Sequence, residues 1–301
     1  MRRITDVEEW RAYADVQRVA GRRVGLVPTM GALHAGHTSL FDAASAHGDV
    51  VIATSFVNPR QFDDRGDLAR YPRTPELDRA VAEAHGVDCF VEPTLAAMWP
   101  NYPDATPTTV SVRGLADVLE GAARPGHFDG VASVVAKLLT ITGPCRVYFG
   151  EKDYQQLAVI RQMVRDLSYA VEIVGCAIVR DADGLALSSR NVLLSDDARR
   201  RALALSHAIA NVAALPAPAS EHRRRLHETL DGATIDVVYA EIVDPVTLAV
   251  VGDDVSGEAR AVVAANGSLR RLSVDEPSLD AIYARYFKNQ SRESRGVRHA
   301  A

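Results

Sequence analysis

The chain has 301 residues, 47% hydrophobic and 24% charged, with a net charge of −5. That composition is globular, and the length suits two domains of ordinary size. The acidic balance argues against a long nucleic-acid backbone as partner, and no run approaches the roughly 18 apolar residues of a membrane span.

MRRITDVEEW opens the chain without an apolar core of the secretory type, and Thr5 with Glu8 fits a helix capping box. From there strand-length apolar runs alternate with helical patterns. RRVGLVPT is a strand and GHTSLFDAASAH a helix; DVVIATSFV is a strand; TPELDRAVAEAHG is a helix with Pro75 in its first turn and Gly86 past its end; VDCFVEP is a strand. FDGVASVVAKLLTITG, RVYFG, YQQLAVIRQMVRDLS and AVEIVGC continue the alternation. The pattern predicts an α/β fold: a Rossmann-like doubly wound parallel sheet that binds ligand at the carboxyl ends of its strands.

After Cys176 the pattern changes. SDDARRRALALSHAIANVAAL is a long helix, PAPAS a turn, and EHRRRLHETLDG a charged helix. TIDVVYAEIVD, EARAVVAAN and SLRRLSV follow as antiparallel strands. The expected organisation is a first domain over 1–177, a smaller α+β lid over 178–289 and a polar, disordered tail over 290–301. Cys89, Cys145 and Cys176 are far apart and lack metal-ligand spacing, so they are expected as buried thiols in a reducing, cytoplasmic compartment.

Four segments carry polar chemistry at the ends of these elements. In MGALHAGH, Met30–His37, two imidazoles stand three residues apart where a strand gives way to a helix. Gly36 admits a close approach, and a helix N-terminus suits phosphate. No third ligand stands nearby for zinc. FGEKDYQQL follows the RVYFG strand: Gly150 suits a tight turn, Lys152 is a cation for a polyphosphate, and Asp153 suits a ribose or a helix cap. Gln155 and Gln156 point different ways on the next helix, so at most one faces the site. GLALSSRN offers Ser188, Ser189 and Arg190 for terminal phosphates. FVNPRQF offers Asn58 and Gln61 to orient a small polar substrate. Each segment alone also reads as an ordinary loop or cap. Together they converge on one cleft.

With PTMGALHAGH, FVNPRQF, RYPRT, EGAARPGHFDGV, FGEKDYQQ and DGLALSSRN in this order, the chain resembles the pantothenate synthetase (pantoate–β-alanine ligase) family of the H-x-G-H nucleotidyltransferase superfamily. The resemblance runs from about Val24 to Leu194. It implies a homodimer without membrane or nucleic-acid partners. It also implies condensation of (R)-pantoate with β-alanine through pantoyl adenylate, at the expense of ATP with Mg²⁺ and no protein-held metal. His37, His34 and Lys152 would be catalytic. Met30, Gly31, Ala32, Leu33, His34, Ala35, Gly36 and His37 would line the ATP site with Gly150, Glu151, Lys152, Asp153, Leu187, Ser188, Ser189 and Arg190. The Val179 backbone would meet adenine. Gln61 and Gln156, with Asn58, would hold pantoate, and Gln61 would also adjoin β-alanine. Arg124 and His127 match a family segment near the same cleft. Two departures stand out: Leu187 where the family often has Met, a swap that keeps apolar volume, and ANGSLRRLSVDE where it commonly has a GTTRLIDN-like strand. The rivals are another nucleotidyltransferase, a class I aminoacyl-tRNA synthetase core, and a non-catalytic nucleotide-binding protein.

Overall fold

A computed structural model describes residues 1–214, 216–233, 235–254, 258–266 and 279–285. Its first layer is a six-stranded parallel sheet: β1 Arg2–Ile4, β2 Val24–Thr29, β3 Val50–Ser55, β4 Cys89–Val91, β5 Cys145–Gly150 and β6 Val171–Cys176. The order is β1-β4-β3-β2-β5-β6, so the winding reverses between β2 and β5. All pairs are parallel, with Gly25 opposite Arg146 at the switch point. The expected fold class is therefore found.

Helices cover both faces. α1 (Val7–Val19), α7 (His127–Thr142) and α8 (Tyr154–Asp166) pack on one, and α2 (Ala35–Ala46) and α4 (Pro75–Ala84) on the other. The two-residue strand period sorts the side chains: Val24, Leu26, Ile52 and Val147 join the first core, while Val27, Val51, Ala53 and Tyr148 join the second. Three short helices, α3 (Arg65–Arg70), α5 (Leu95–Met98) and α6 (Glu120–Ala123), lie in the connections.

The N-terminus differs from expectation. Ile4 pairs with Val91 in β1, so α1 starts one residue later than the capping-box spacing suggests. Its cap is Asp6, whose side chain accepts from Glu9 N at 2.9 Å, in place of Thr5. Cys89 and Cys145 are buried, and burial pushes both thiols up to about 12. Cys176, at the end of β6, is only half-buried.

The smaller second layer is α9 (Asp196–Ala213), α10 (Ala219–Gly232) and an antiparallel sheet of β7 (Asp236–Val243), β8 (Arg260–Asn266) and β9 (Leu279–Arg285). Alternate residues of β7 and β8 face α9 and α10 (Ala240, Ile242, Ala261, Val263), while Val243, Val262 and Ala264 join the main core. The strand expected at 268–274 and the tail at 290–301 lie outside the described residues. Arg260 fastens this layer to the first: its guanidinium sits 3.6 Å over the Tyr154 ring and 3.6 Å from Glu151 Oε2, while Tyr154 Oη donates to Pro245 O at 2.8 Å.

One close approach shapes the site directly. α7 crosses the 3₁₀ turn Pro59–Gln61 at Gly130, where an added Cβ would lie 2.1 Å from Arg60 O and 2.8 Å from Gln61 Cα. The Gly130→Ala variant is expected to lose about 1–3 kcal/mol by overpacking against rigid backbone. A lowered urea midpoint at unchanged m-value would report it, and an unchanged midpoint would refute it.

Candidate active site

The carboxyl ends of the central strands open on a cavity of about 250 Å³. Met30, His34, Gly36 and His37 line it after β2, Asn58 and Gln61 after β3, Gly150 at the end of β5, and Lys152, Asp153 and Gln156 after β5. Val179, Leu187, Ser188, Ser189 and Arg190 close it from the segment after β6. Each motif thus arrives from a different strand end, at the switch point where open α/β sheets bind ligands.

The two histidines are set by backbone bonds. His34 is the N-cap of α2 in extended conformation, and its Nδ1 accepts from Gly36 N at 3.1 Å. His37 Nδ1 accepts from His34 N at 3.3 Å, closing a reciprocal capping box. An Nδ1 that accepts carries no proton, so each neutral ring holds its proton on Nε2. The rings lie 4.1 Å apart. Burial, then the nearby Lys152 charge, pushes His34 down to about 4. Burial, with His34 and Lys152 adding, pushes His37 down to about 3. Both imidazoles are therefore neutral Nε2–H donors at pH 7.

Two glycines play roles other than those expected. A Cβ on Gly36 would lie 2.8 Å from His34 Cε1, so its missing side chain makes room for the capping imidazole. The Gly36 N–H, expected to meet phosphate, is taken by that ring. Gly150 has φ −71° and ψ 138°, which any residue adopts, so no tight turn requires it. It lines the cavity, and an added Cβ there would meet only Lys152 N, at 4.0 Å.

Gln61 is held on every side. Its Oε1 accepts from Asn58 Nδ2 at 3.0 Å and its Nε2 points at Met30 Sδ, 3.3 Å away. Its backbone carbonyl receives His127 Nδ1 at 2.7 Å and Arg124 Nη2 at 3.4 Å. Asn58 is 1% exposed, and Trp99 Nε1 donates to its Oδ1 at 2.9 Å while its Nδ2 also reaches Gly130 O at 3.1 Å. Its amide is occupied by protein, so it braces Gln61 where a direct substrate contact was expected. Of the adjacent Gln155 and Gln156 on α8, Gln156 lines the cavity. Gln155 is buried, donating to Leu115 O and Val118 O and accepting from Glu120 N.

Lys152 is mostly buried, its Nζ 3.5 Å from Asp153 Oδ1. Arg190 pairs with Asp67 through Nη2 at 3.0 Å, and its guanidinium lies 5.2 Å from the Tyr71 ring centre. Ser188 Oγ accepts from Arg190 N at 3.3 Å, and Ser189 Oγ donates to Ala32 O at 3.0 Å, so both hydroxyls have protein partners. Leu187 N donates to Val179 O at 3.0 Å, which ties the cavity wall together. Gly31, Ala32, Leu33, Ala35 and Glu151, expected in the ATP site, stand outside the cavity lining; Leu33 is in the core and Glu151 faces Arg260.

Sequence reasoning missed Tyr71, Glu120 and the apolar wall of Phe128, Val131, Val134 and Val135 from α7. RYPRT and the unbroken apolar face of α7 were the available signals. Among the described residues no group of three or more His, Cys, Asp or Glu is placed to hold a metal, and no helix is long and apolar enough to cross a membrane.

Cations and neutral N–H donors gathered at the switch point suit a polyanion and mark the class of open α/β proteins that bind such ligands at their strand ends. Within that class the chain belongs to the pantoate–β-alanine ligase family, whose model matches residues 2–275. It is 46% identical over 288 residues to pantothenate synthetase of Acidobacterium capsulatum, covering 90% of this chain and 95% of that protein. The crystal structure of pantothenate synthetase from Thermus thermophilus is similar with a TM-score of 0.83 and 43% identity, covering 94% of this chain and 99% of the other. Pantoate–β-alanine ligase from Francisella tularensis, crystallised with β,γ-ATP and β-alanine, matches at TM-score 0.72 and 31% identity over 88% and 93% of the two chains.

The depressed histidines carry a pH consequence. Their folded values lie below the ordinary 6.5, so the unfolded chain takes up these protons first as pH falls. Their contribution to stability is present above about 6.5 and is lost as pH drops toward 4 and then 3. For the same reason the acid limb of kcat/KM for ATP should show no ionisation between about pH 5.5 and 7 assignable to them. A limb near 6.5 that disappears in His34→Asn or His37→Asn would refute the neutral assignment.

Proposed function

We propose that the protein joins (R)-pantoate to β-alanine at the expense of ATP, releasing AMP and pyrophosphate and forming (R)-pantothenate. In this reading the pantoate carboxylate oxygen attacks the α-phosphorus, the bond to the bridging oxygen of pyrophosphate breaks, and a pantoyl adenylate forms. The β-alanine amine then attacks the acyl carbon, AMP leaves, and the amine loses a proton to solvent. Both nucleophiles come from substrates, so the protein's work is alignment and charge neutralisation.

The single observation that carries the proposal is the convergence of His34, His37 and Lys152 on one cavity with Gln61 and Gln156. The two Nε2–H groups and the Lys152 ammonium would neutralise charge growing on the departing pyrophosphate, a differential effect that acts in the transition state. Gln61 and Gln156 are neutral hydrogen-bonding groups suited to pantoate's hydroxyls and carboxylate, and the α7 wall suits its apolar carbon skeleton. Ser188 and Arg190 would flank the terminal phosphates, and the backbone at Val179 the base. Mg²⁺ would enter with ATP and screen its phosphates, as this hard cation commonly does in nucleotide sites. The reading further takes residues 1–177 as the ATP- and pantoate-binding unit, 178–289 as the lid, and the active form as a cytoplasmic homodimer.

With ATP, Mg²⁺, pantoate and β-alanine supplied together, AMP and pantothenate should appear in equal amounts. Omitting β-alanine should leave one pyrophosphate per site and no pantothenate. The His37→Ala variant should stay folded and slow adenylate formation by about 100-fold or more. Pyrophosphate release with a phosphorylated acceptor but none with pantoate, or near-normal turnover in His37→Ala, would overturn the assignment.

A further inference from the structure

The turn that delivers His34 to the head of α2 is conformationally costly. Gly31 has φ +79° and Ala32, a residue with a Cβ, has φ +49°, so two successive residues take the left-handed region. Something must hold Ala32 there.

Asp78 is placed to do so. It lies in the first turns of α4 and is 2% exposed. Its Oδ2 accepts from Ala32 N at 3.0 Å, and its Oδ1 accepts from Leu33 N at 2.8 Å and from Thr74 Oγ1 at 3.0 Å. A Cβ on Gly31 would come within 2.9 Å of the same carboxylate and 2.8 Å of Ser55 Oγ. From the other side Ser189 Oγ donates to Ala32 O. Ala32 is thus gripped at its N–H from α4 and at its carbonyl from the Ser188–Arg190 segment. Asp78 itself is not part of the cavity lining.

We infer that Asp78 is a positioning residue for adenylate formation: by bonding the N–H groups of Ala32 and Leu33, in and just after the left-handed pair, it fixes where His34 and His37 present their Nε2–H donors, without meeting substrate. The inference rests on the function proposed above. It needs a carboxylate specifically, because both oxygens accept. An asparagine would offer one acceptor and would turn an NH₂ group toward a backbone N–H.

The test is Asp78→Asn in single turnover, with pyrophosphate release followed at saturating ATP and pantoate beside ATP affinity by calorimetry. The rate should fall about 10- to 100-fold, less than the roughly 100- to 1000-fold cost of removing a transition-state donor outright, while the ATP Kd changes by less than about threefold. Adding Ala32→Gly to Asp78→Asn should recover part of the rate, since glycine takes the left-handed conformation without the same cost. Thr74→Ala, which removes one of the three bonds and no helix-cap bond, should slow adenylation several-fold and supplies the test if Asp78→Asn does not fold. An unchanged rate in the folded variant, parallel loss of rate and ATP affinity, or no recovery with Ala32→Gly would each overturn the inference while wild-type turnover stands. A wild-type protein that binds ATP and forms no adenylate would overturn the function proposed above and this inference with it.

Discussion

Lys152, Arg124 and Arg190 converge on one cavity, and cations gathered away from bulk water must be compensated. The protein meets that constraint in two ways. Asp67 pairs with Arg190, and Asp63 and Glu120 pair with Arg124. The two imidazoles are kept neutral by burial beside Lys152. The cavity keeps ammonium, guanidinium and N–H donors for a polyanion without the histidines adding their own charge to that of the three cations. Neutral donors also cost less to bury than charged ones, so His34 and His37 can sit at the cavity wall with the cations around them.

The central part of this arrangement was legible because it is local. Strand runs, the H-x-G-H spacing, GEKD and SSRN each declare themselves within a short stretch of chain, and parallel sheet topology then brings strand ends together. What stayed hidden depends on distant partners. β1 is three residues long and exists because β4 offers an edge. Asp67 reads locally as one acid in a polar helix, and only the fold brings it to Arg190, 123 positions away. Asn58 reads as a substrate ligand because a loop asparagine after a strand often is one. Trp99 and Gly130, which occupy its amide, come from other elements. The openness expected at Gly36 is there, and it makes room for the ring two residues away.

The second layer is tied to the chemistry through α8 and the turn before it. Arg260 on β8 covers Tyr154 and faces Glu151, which adjoins Lys152 in sequence. The lysine that would meet phosphate is therefore carried on a segment clamped from the antiparallel sheet. Packing of that sheet and the position of the cation are linked through one buried guanidinium, and Tyr154 Oη adds a second tether at Pro245 O.

His34 and His37 serve as helix caps through Nδ1, which leaves the opposite edge of each ring for a ligand. Few side chains are two-faced in this way. Lysine and arginine carry donors but have nothing with which to accept from a backbone N–H; aspartate and serine accept well yet reach too short a distance to present a donor across the cavity. An imidazole does both because its two nitrogens are rigidly held on opposite flanks of one flat ring. The pair therefore restricts the positions to a narrow chemical alphabet, set jointly by the helix start behind them and by the anion in front.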